Sequence, residues 1–274
     1  MSTNGSLNDD ANGEYSVAHG AADLSGSGLA GALRTANARQ LPKRFYSEVG
    51  ITAAGADFGL LLDGRRARTP MKSALAVPSE KLAESIAAEW RAQETVIDPV
   101  AMPLTTLTCT ALDAVAANRA AVKADIVKYF GSDLLCYRAE GPDKLTARQC
   151  AHWDQPLVWA NTLLGLDLVV THGLMPVSQQ PGLRAAADRA IGDEPALHLT
   201  ALHVLTTLTG SAILALAVAH GELSLDEAWA AAHVDEDYQI ELWGHDAEAA
   251  ARRARRQLEA RAAALVLELL PGTA

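Results

Sequence analysis

The pattern of apolar and polar positions divides the chain into three parts. Residues 1–40 show no sustained apolar period, so ordering them would cost more conformational entropy than burial could offset. Residues 41–100 carry short extended runs and one helical pattern, whereas residues 101–274 are helical in period almost throughout. We therefore expect a disordered tail over 1–40, a β-rich domain over 41–100 and an α-helical domain over 101–274.

Three short extended runs form the predicted β-rich domain, at 45–51, 58–62 and 65–69. The dipeptide Asp63-Gly64 separates the last two runs and is typical of a tight hairpin, because both turn positions need a positive φ. Ser79 is a good N-cap for the pattern that follows, whose apolar residues recur four apart from Leu82 onward. One helix is therefore expected to cover the strands.

Helical patterns fill the rest of the chain, at 103–117, 119–130, 143–164, 182–191, 196–220 and 224–268, with one extended interruption at 166–170. Pro156 removes an amide donor and clashes with the preceding turn, which predicts a kink or a split in its helix. A break is also expected at Gly244. The predicted fold class is α+β, a small β-rich domain with a covering helix followed by a larger all-α orthogonal helical bundle.

One segment, 201–219, has the length of a membrane span and contains only His203 as an ionisable group. Acidic residues flank it on both sides, and no Lys or Arg lies near either end to orient insertion. A helix that is apolar all round needs either a bundle interior or lipid. We favour a buried core helix and expect no membrane insertion.

Composition and charge narrow the possible partners. The chain has 274 residues and a formal net charge of −10, without a compact basic run interleaved with aromatic residues, which argues against nucleic-acid binding. Its three cysteines form no CxxC pair, and no secretory signal is recognised. The first 40 residues are too acidic for a mitochondrial transit peptide. We expect a cytoplasmic bacterial protein.

Catalytic and cofactor motifs are scarce. There is no GxGxxG, no GxxxxGK[ST] and no GxSxG, so no nucleotide cofactor is expected. His233, Asp237, Glu241 and His245 follow one another four apart, which would align four potential metal ligands on one helix face. A solvated face is the preferred interpretation, and a metal-dependent hydrolase that uses this column is the alternative.

The opposite face of the same predicted helix places one carboxylate among apolar side chains. Steps of three and four residues align Leu225, Trp229, Ala232, Glu236, Ile240 and Trp243. A carboxylate in such a stripe needs a partner. Either Glu236 forms an internal pair with an Arg such as Arg138 or Arg148, or it is a recognition group at a cleft or interface.

A series of short motifs then occurs in one order from about Lys43 to the last predicted helix. They are Arg44-Phe45-Tyr46, Leu62-Asp63-Gly64-Arg65, Glu89-Trp90, Ile97-Asp98-Pro99, the run from Ser132 to Ala139, His152-Trp153-Asp154, the run from Leu202 to Ser211, and the run from Asp235 to Ile240 with Trp243-Gly244. Together they resemble the assembly chaperones of the F1 catalytic head of ATP synthase, in the branch that binds the free α subunit.

The resemblance implies a monomeric, non-enzymatic chaperone without cofactor or metal. A free α subunit exposes the apolar surface that it later shares with the β subunit, and such a surface promotes aggregation until it is covered. By position in the motifs, the partner-binding residues are Glu236 first, with Asp235, Asp237, Tyr238, Gln239 and Trp243. Glu89 and Trp90 are expected to be structural residues at the domain junction.

Overall fold

The computed structural model describes residues 41–173 and 175–271, so the tail predicted over 1–40 lies outside the described residues. The strands are β1 (Val49–Ala54), β2 (Asp57–Leu62), β3 (Arg65–Arg66), β4 (Ala76–Val77), β5 (Tyr137–Arg138) and β6 (Thr171–His172). The α-helices are α1 (Glu80–Arg91), α2 (Pro103–Thr110), α3 (Arg119–Tyr129), α4 (Asp143–Leu164), α5 (Leu183–Ile191), α6 (Ala196–Thr209), α7 (Ala212–Ala219), α8 (Leu225–Ala232), α9 (Val234–Trp243) and α10 (Ala247–Leu269).

The N-terminal sheet is antiparallel and is built around β2, which pairs with β1, β3 and β4. The predicted hairpin is confirmed, because Asp63 and Gly64 both have positive φ, at 47° and 75°. The first strand starts later than predicted, at Val49. Residues 45–48 are instead held by the Asp63 side chain, whose Oδ1 accepts hydrogen bonds from the backbone N–H groups of Ser47 and Glu48 at 2.9 and 2.7 Å.

Helix α1 covers this sheet, as the sequence predicts. The Ser79 hydroxyl accepts a hydrogen bond from the Leu82 N–H at 3.3 Å, which satisfies one free donor of the first turn. The buried face of α1 contains Leu82, Ala83, Ile86 and Ala87 and lies against β1 and β2. Local capping and apolar spacing are therefore sufficient to specify this helix.

Several predicted helices keep their bounds within two residues, notably 119–130, 143–164 and 182–191. The pattern at 103–117 is shorter as an α-helix and continues as a π-helical turn at Ala111–Val115. Of the kink or split predicted at Pro156, the split does not occur, because α4 runs through this residue without interruption. Pro156 is buried inside the helix, where it packs with the apolar face that includes Leu157.

The apolar pattern at 196–220 forms two helices rather than one. Gly210 ends α6 with a φ of 71°, and the Ser211 hydroxyl caps α7 by accepting from the Leu214 N–H. Both helices are buried, α6 against α3 and α10, and α7 against α4 and α8. Over 41–173 and 175–271, no helix is long and apolar enough to cross a bilayer.

The C-terminal pattern breaks twice. The predicted break at Gly244 is confirmed, and a second break at His233 separates α8 from α9. The helical pattern is interrupted at 166–170, as predicted, and the residues that follow directly, Thr171 and His172, pair with β5 in parallel. The larger part of the chain is thus not purely helical.

The α+β fold class is confirmed. A small N-terminal sheet with one covering helix precedes a larger helical part whose core lies around α6. Helix α1 also contacts α2 and α10, so the sheet and the helical part share one continuous set of buried residues. The division into domains at 41–100 and 101–274 stays a prediction.

Candidate functional site

Helix α9 contains all of the partner-binding residues predicted from the motifs. Asp235, Glu236 and Asp237 occupy the first turn of α9, where negative charge interacts favourably with the free N–H groups of the helix terminus. Gly244 ends α9 with a φ of 88°, and the Asp246 carboxylate begins α10 by accepting from the N–H groups of Glu248 and Ala249. This short connection places the two helices along the sides of one cleft.

Most of the predicted partner-binding residues are engaged within the chain. Asp235 accepts a hydrogen bond from Gln149 Nε2 at 2.7 Å, and Asp237 forms a two-oxygen ion pair with Arg253 of α10. Tyr238 is buried, so its ring is turned away from solvent. These three residues hold α9 in place. Other side chains form the exposed surface of this helix.

Glu236 is accessible and, in the part of the chain that the structure describes, forms no ion pair with an Arg. Its side chain is 44% exposed, and its Oε2 lies 3.9 Å from His233 Nε2. The internal pair considered from the sequence is wrong for both candidates, because Arg138 binds Asp154 and Arg148 binds Glu241. Glu236 is therefore available at the cleft.

The cleft between α9 and α10 encloses about 550 Å³. Its walls combine apolar and polar groups, among them Trp229, Glu236, Ile240, Trp243, Ala250 and Arg253. Trp243 stands at the edge with 82% of its surface exposed, and its indole N–H donates to Gln239 Oε1 at 3.0 Å. Leu242 beside it is also exposed. We call residues 235–243 together with this cleft the α9–α10 surface.

His233 links this surface to the interior. Its Nδ1–H donates to the Trp229 carbonyl at 2.8 Å, and its ring stacks on the Trp229 indole with centroids 4.2 Å apart. Burial lowers the pKa of His233, while the Trp229 carbonyl and the Glu236 carboxylate act in the opposite direction.

The column of potential metal ligands is not assembled. His233 is turned into the core, Asp237 binds Arg253, and Glu241 binds Arg148 and Lys144. These hydrogen bonds from Arg148 and Lys144 lower the pKa of Glu241 to about 2. Within 41–173 and 175–271, no group of three or more His, Cys, Asp or Glu side chains is arranged to hold a metal ion.

Glu89 and Trp90 lie where α1 meets α2. The two Glu89 oxygens accept from the N–H groups of Leu104 and Thr105, each at 2.8 Å, and so cap α2, which has no capping side chain of its own. The Trp90 carbonyl accepts from the Tyr46 hydroxyl at 2.7 Å. Glu89 thus connects α1 to the helical part of the chain, and Trp90 connects α1 to the segment before β1.

Comparison with known proteins decides the family. A family model described as ATP12 chaperone protein matches residues 43–161. The crystal structure of Atp12 from Paracoccus denitrificans is 41% identical in sequence, with a TM-score of 0.78 over 84% of this chain and 99% of that one. The chain belongs to the ATP12 chaperone family. Because this is a family of ATP synthase assembly chaperones, the identification made from the motifs is confirmed, and the chain is a chaperone rather than an enzyme.

A second solved structure is also similar to this chain. A protein from Agrobacterium tumefaciens, described as a candidate chaperone, is 47% identical, with a TM-score of 0.80 over 84% of this chain and 87% of that one. The ATP12 family match at 43–161 ends inside α4, so the α9–α10 surface lies beyond it. The structural similarity extends over most of the helical part as well.

Sequence reasoning missed the cleft itself. It treated 224–243 as one helix and so placed Trp229 and Trp243 on a common face, whereas the break at His233 buries the first and exposes the second. The signal that was available is the run Gly244-His245-Asp246, in which a helix-ending glycine precedes an N-cap aspartate by two residues. Such a run predicts two neighbouring helices joined by a sharp turn.

Proposed function

We propose that this chain assists assembly of the ATP synthase F1 sector by binding the free α subunit and shielding its subunit interface until the β subunit arrives. Membership of the ATP12 chaperone family supports this role. The motifs of the sequence resemble the branch of the family that binds α. A free α subunit with an uncovered apolar interface is the kind of client that needs such a cover.

The observation that carries the proposal is the exposure of Trp243 beside the half-exposed carboxylate of Glu236. Large aromatic side chains at a protein surface serve as anchors in interfaces, and the residues around them exclude water. The α9–α10 surface offers this aromatic anchor, an apolar floor and a charge. We infer that it contacts the α subunit, with Glu236 as the first recognition residue.

The interface must be reversible, because the β subunit has to replace the chaperone. An interface of moderate area with a polar rim suits such an exchange better than a large apolar one. We infer that the chain acts as a monomer in the bacterial cytoplasm. The free thiols at Cys109, Cys136 and Cys150 fit this reducing compartment.

The test is co-expression of a tagged chain with its cognate α subunit in the absence of β, followed by affinity capture. We expect a one-to-one complex and more α subunit in the soluble fraction than without the chaperone. Absence of a complex, with α solubility unchanged, would contradict the proposed partner.

The same capture tests the site through Glu236→Lys. Because Glu236 is half exposed in the first turn of α9 and interacts electrostatically with Arg253, charge reversal should lower the unfolding free energy by no more than about 2 kcal/mol and leave the chain folded. Capture of the α subunit should fall at least several-fold. Glu94→Lys, an exposed carboxylate in the loop after α1, is the matched control and should capture normally. Equal capture by both variants would remove Glu236 from the interface.

A further inference from the structure

A second cleft, of about 480 Å³, lies between α4 and the β5–β6 pair. Its lining includes Arg138, Asp154, Leu157, Val158, Val170 and His172. Arg138 and His172 are register partners in neighbouring parallel strands, so their side chains leave the same face of the pair. We call this cavity the Arg138 cleft.

Arg138 is a buried cation that lacks a full set of acceptors. Its side chain is only 7% exposed and stacks on Trp153, with Cζ 5.1 Å from the ring centroid. Nη2 donates to Asp154 Oδ1 at 2.9 Å, whereas Nε and Nη1 are buried without a hydrogen-bond partner among residues 41–173 and 175–271. Because a guanidinium cannot lose its proton in a protein, it cannot relieve this situation by becoming neutral.

The Asp154 carboxylate binds Arg138 only weakly. Asp154 is 61% exposed at the rim, where solvent screens its charge, and it contributes one oxygen only. The other polar group close to the strand, Gln149, is already engaged, because its amide accepts from the Ala139 N–H and donates to Asp235. Neither residue supplies acceptors for Nε and Nη1.

We propose that the Arg138 cleft binds a carboxylate carried on a short apolar stem. A carboxylate that displaces Asp154 makes two parallel bonds with the planar guanidinium in place of one, which is the geometry that arginine favours. The apolar walls of Leu157, Val158 and Val170 accept the stem. A phosphate dianion fits less well, since the described lining contains no second Arg or Lys.

Two sources could supply this carboxylate. One is an acidic side chain or the C-terminus of the client polypeptide, and the other is a free short-chain acid. The hydrogen bond from Gln149 to Asp235, at 2.7 Å, joins the lining of the Arg138 cleft to helix α9. A client on the α9–α10 surface therefore has the Arg138 cleft within reach, and this assignment of the source rests on the proposed function.

Binding is tested on the full chain labelled with ¹⁵N-arginine, by following the Arg138 Nε–H resonance in NMR spectra. The resonance is assigned by its loss in Arg138→Lys. Titration with butyrate should shift it saturably, and titration with butyramide, the neutral isostere, should not. No shift with butyrate, or the same shift with both compounds, would overturn the proposal.

Two variants test whether butyrate binds by displacing Asp154. Asp154→Asn removes the competing carboxylate from an exposed position, so butyrate should bind several-fold more tightly. Unchanged affinity in this variant would contradict displacement of Asp154 and with it the proposed site. Arg91→Lys, at an exposed ion pair of α1, is the matched control and should leave butyrate binding at the wild-type value.

The source is decided by capture of the α subunit with Arg138→Lys, which keeps the positive charge but loses the planar fork. A several-fold loss of capture, with the thermal melt unchanged, assigns the carboxylate to the client. Full capture together with butyrate binding by the wild type assigns it to a free acid. If the wild type captures no α subunit but still binds butyrate, the partner proposal fails and the Arg138 cleft stands.

Discussion

At the scale of single residues, the most constrained group is the Asp133 carboxylate. It is fully buried and accepts hydrogen bonds from the Ser211 hydroxyl at 2.7 Å and from the N–H groups of Ile213 and Leu135. It thereby holds the start of α7 against the turn that precedes β5. Burial raises the pKa of Asp133 from 3.8 to about 6, although the hydrogen bonds that it accepts oppose the rise.

This raised pKa makes the stability of the fold depend on pH in a defined direction. Between about pH 4 and pH 6 the folded chain keeps a proton on Asp133 that the unfolded chain has lost. The contribution of Asp133 to stability is therefore complete below pH 4, decreases as the pH rises to 6 and stays constant above. Two pKa units correspond to about 3 kcal/mol.

Urea denaturation of the wild type and Asp133→Asn at several pH values measures this contribution, because the amide does not titrate. We expect the variant to be destabilised most at pH 4, and the difference to shrink by about 3 kcal/mol toward pH 7. A pH-independent penalty for Asp133→Asn would contradict the assignment.

Glu236 shows what a sequence can and cannot predict about a residue. Helical spacing identified it as a carboxylate among apolar neighbours, and the structure does place it beside Trp229 and Ile240 in one cleft. The spacing could not decide whether an Arg would meet it. That choice depends on contacts between residues far apart in the chain, such as Arg148 with Glu241.

Among the secondary-structure elements, local sequence signals predicted correctly those that are specified by contacts between residues close together in the chain. The Asp63-Gly64 turn and the Ser79 cap lie within a few residues of the groups that they satisfy. The interruption of the helical pattern at 166–170 was predicted, but the sequence could not show that Thr171 and His172, directly after it, pair with β5. Pairing across more than thirty residues is invisible to periodicity.

The start of α2 provides a prediction about helix capping. Glu89 supplies both oxygens to this terminus and also accepts from the Thr105 hydroxyl at 2.8 Å. Glu89→Gln removes the charge and one of the acceptors, so the free energy of unfolding should fall by about 1–3 kcal/mol. Chemical denaturation measures this loss.

Glu84→Gln is the control for this prediction, because Glu84 is exposed and pairs only with Arg91 of the same helix. Its substitution should cost less than about 1 kcal/mol. An equal loss of stability in both variants would mean that Glu89 does not hold α1 and α2 together.

The two tryptophans around the cleft provide a second prediction at this scale. Trp229 is buried in α8, so Trp229→Ala should lower the free energy of unfolding by about 3–5 kcal/mol. Trp243 is exposed at the end of α9, so Trp243→Ala should change it by less than about 0.5 kcal/mol while α-subunit capture falls several-fold. Thermal melts and capture, run in parallel, separate the two effects. A folded Trp243→Ala variant with full capture would contradict the role given to this side chain.

At the scale of the whole molecule, the order of motifs carried more information than any pattern of residues. The order of the motifs identified the ATP12 family, and the fold that this family implies agrees with the α+β class. Family and fold class are both properties of the chain as a whole. The motifs could not reveal the two clefts, since each is formed by segments whose approach depends on the packing of α4, α9 and α10. The break at His233 decides which side of α9 faces outward.

Hydroxyl-radical footprinting of the chain with and without the α subunit measures whether α covers the α9–α10 surface. Trp243 and Phe45 are both reactive aromatic residues that are largely exposed, at 82% and 71%, and Phe45 lies beside the sheet rather than the cleft. We expect α to reduce oxidation of Trp243 several-fold and to leave Phe45 unchanged. Capture establishes that the complex has formed. If Trp243 is then oxidised as strongly as in the free chain, the α subunit does not cover the α9–α10 surface.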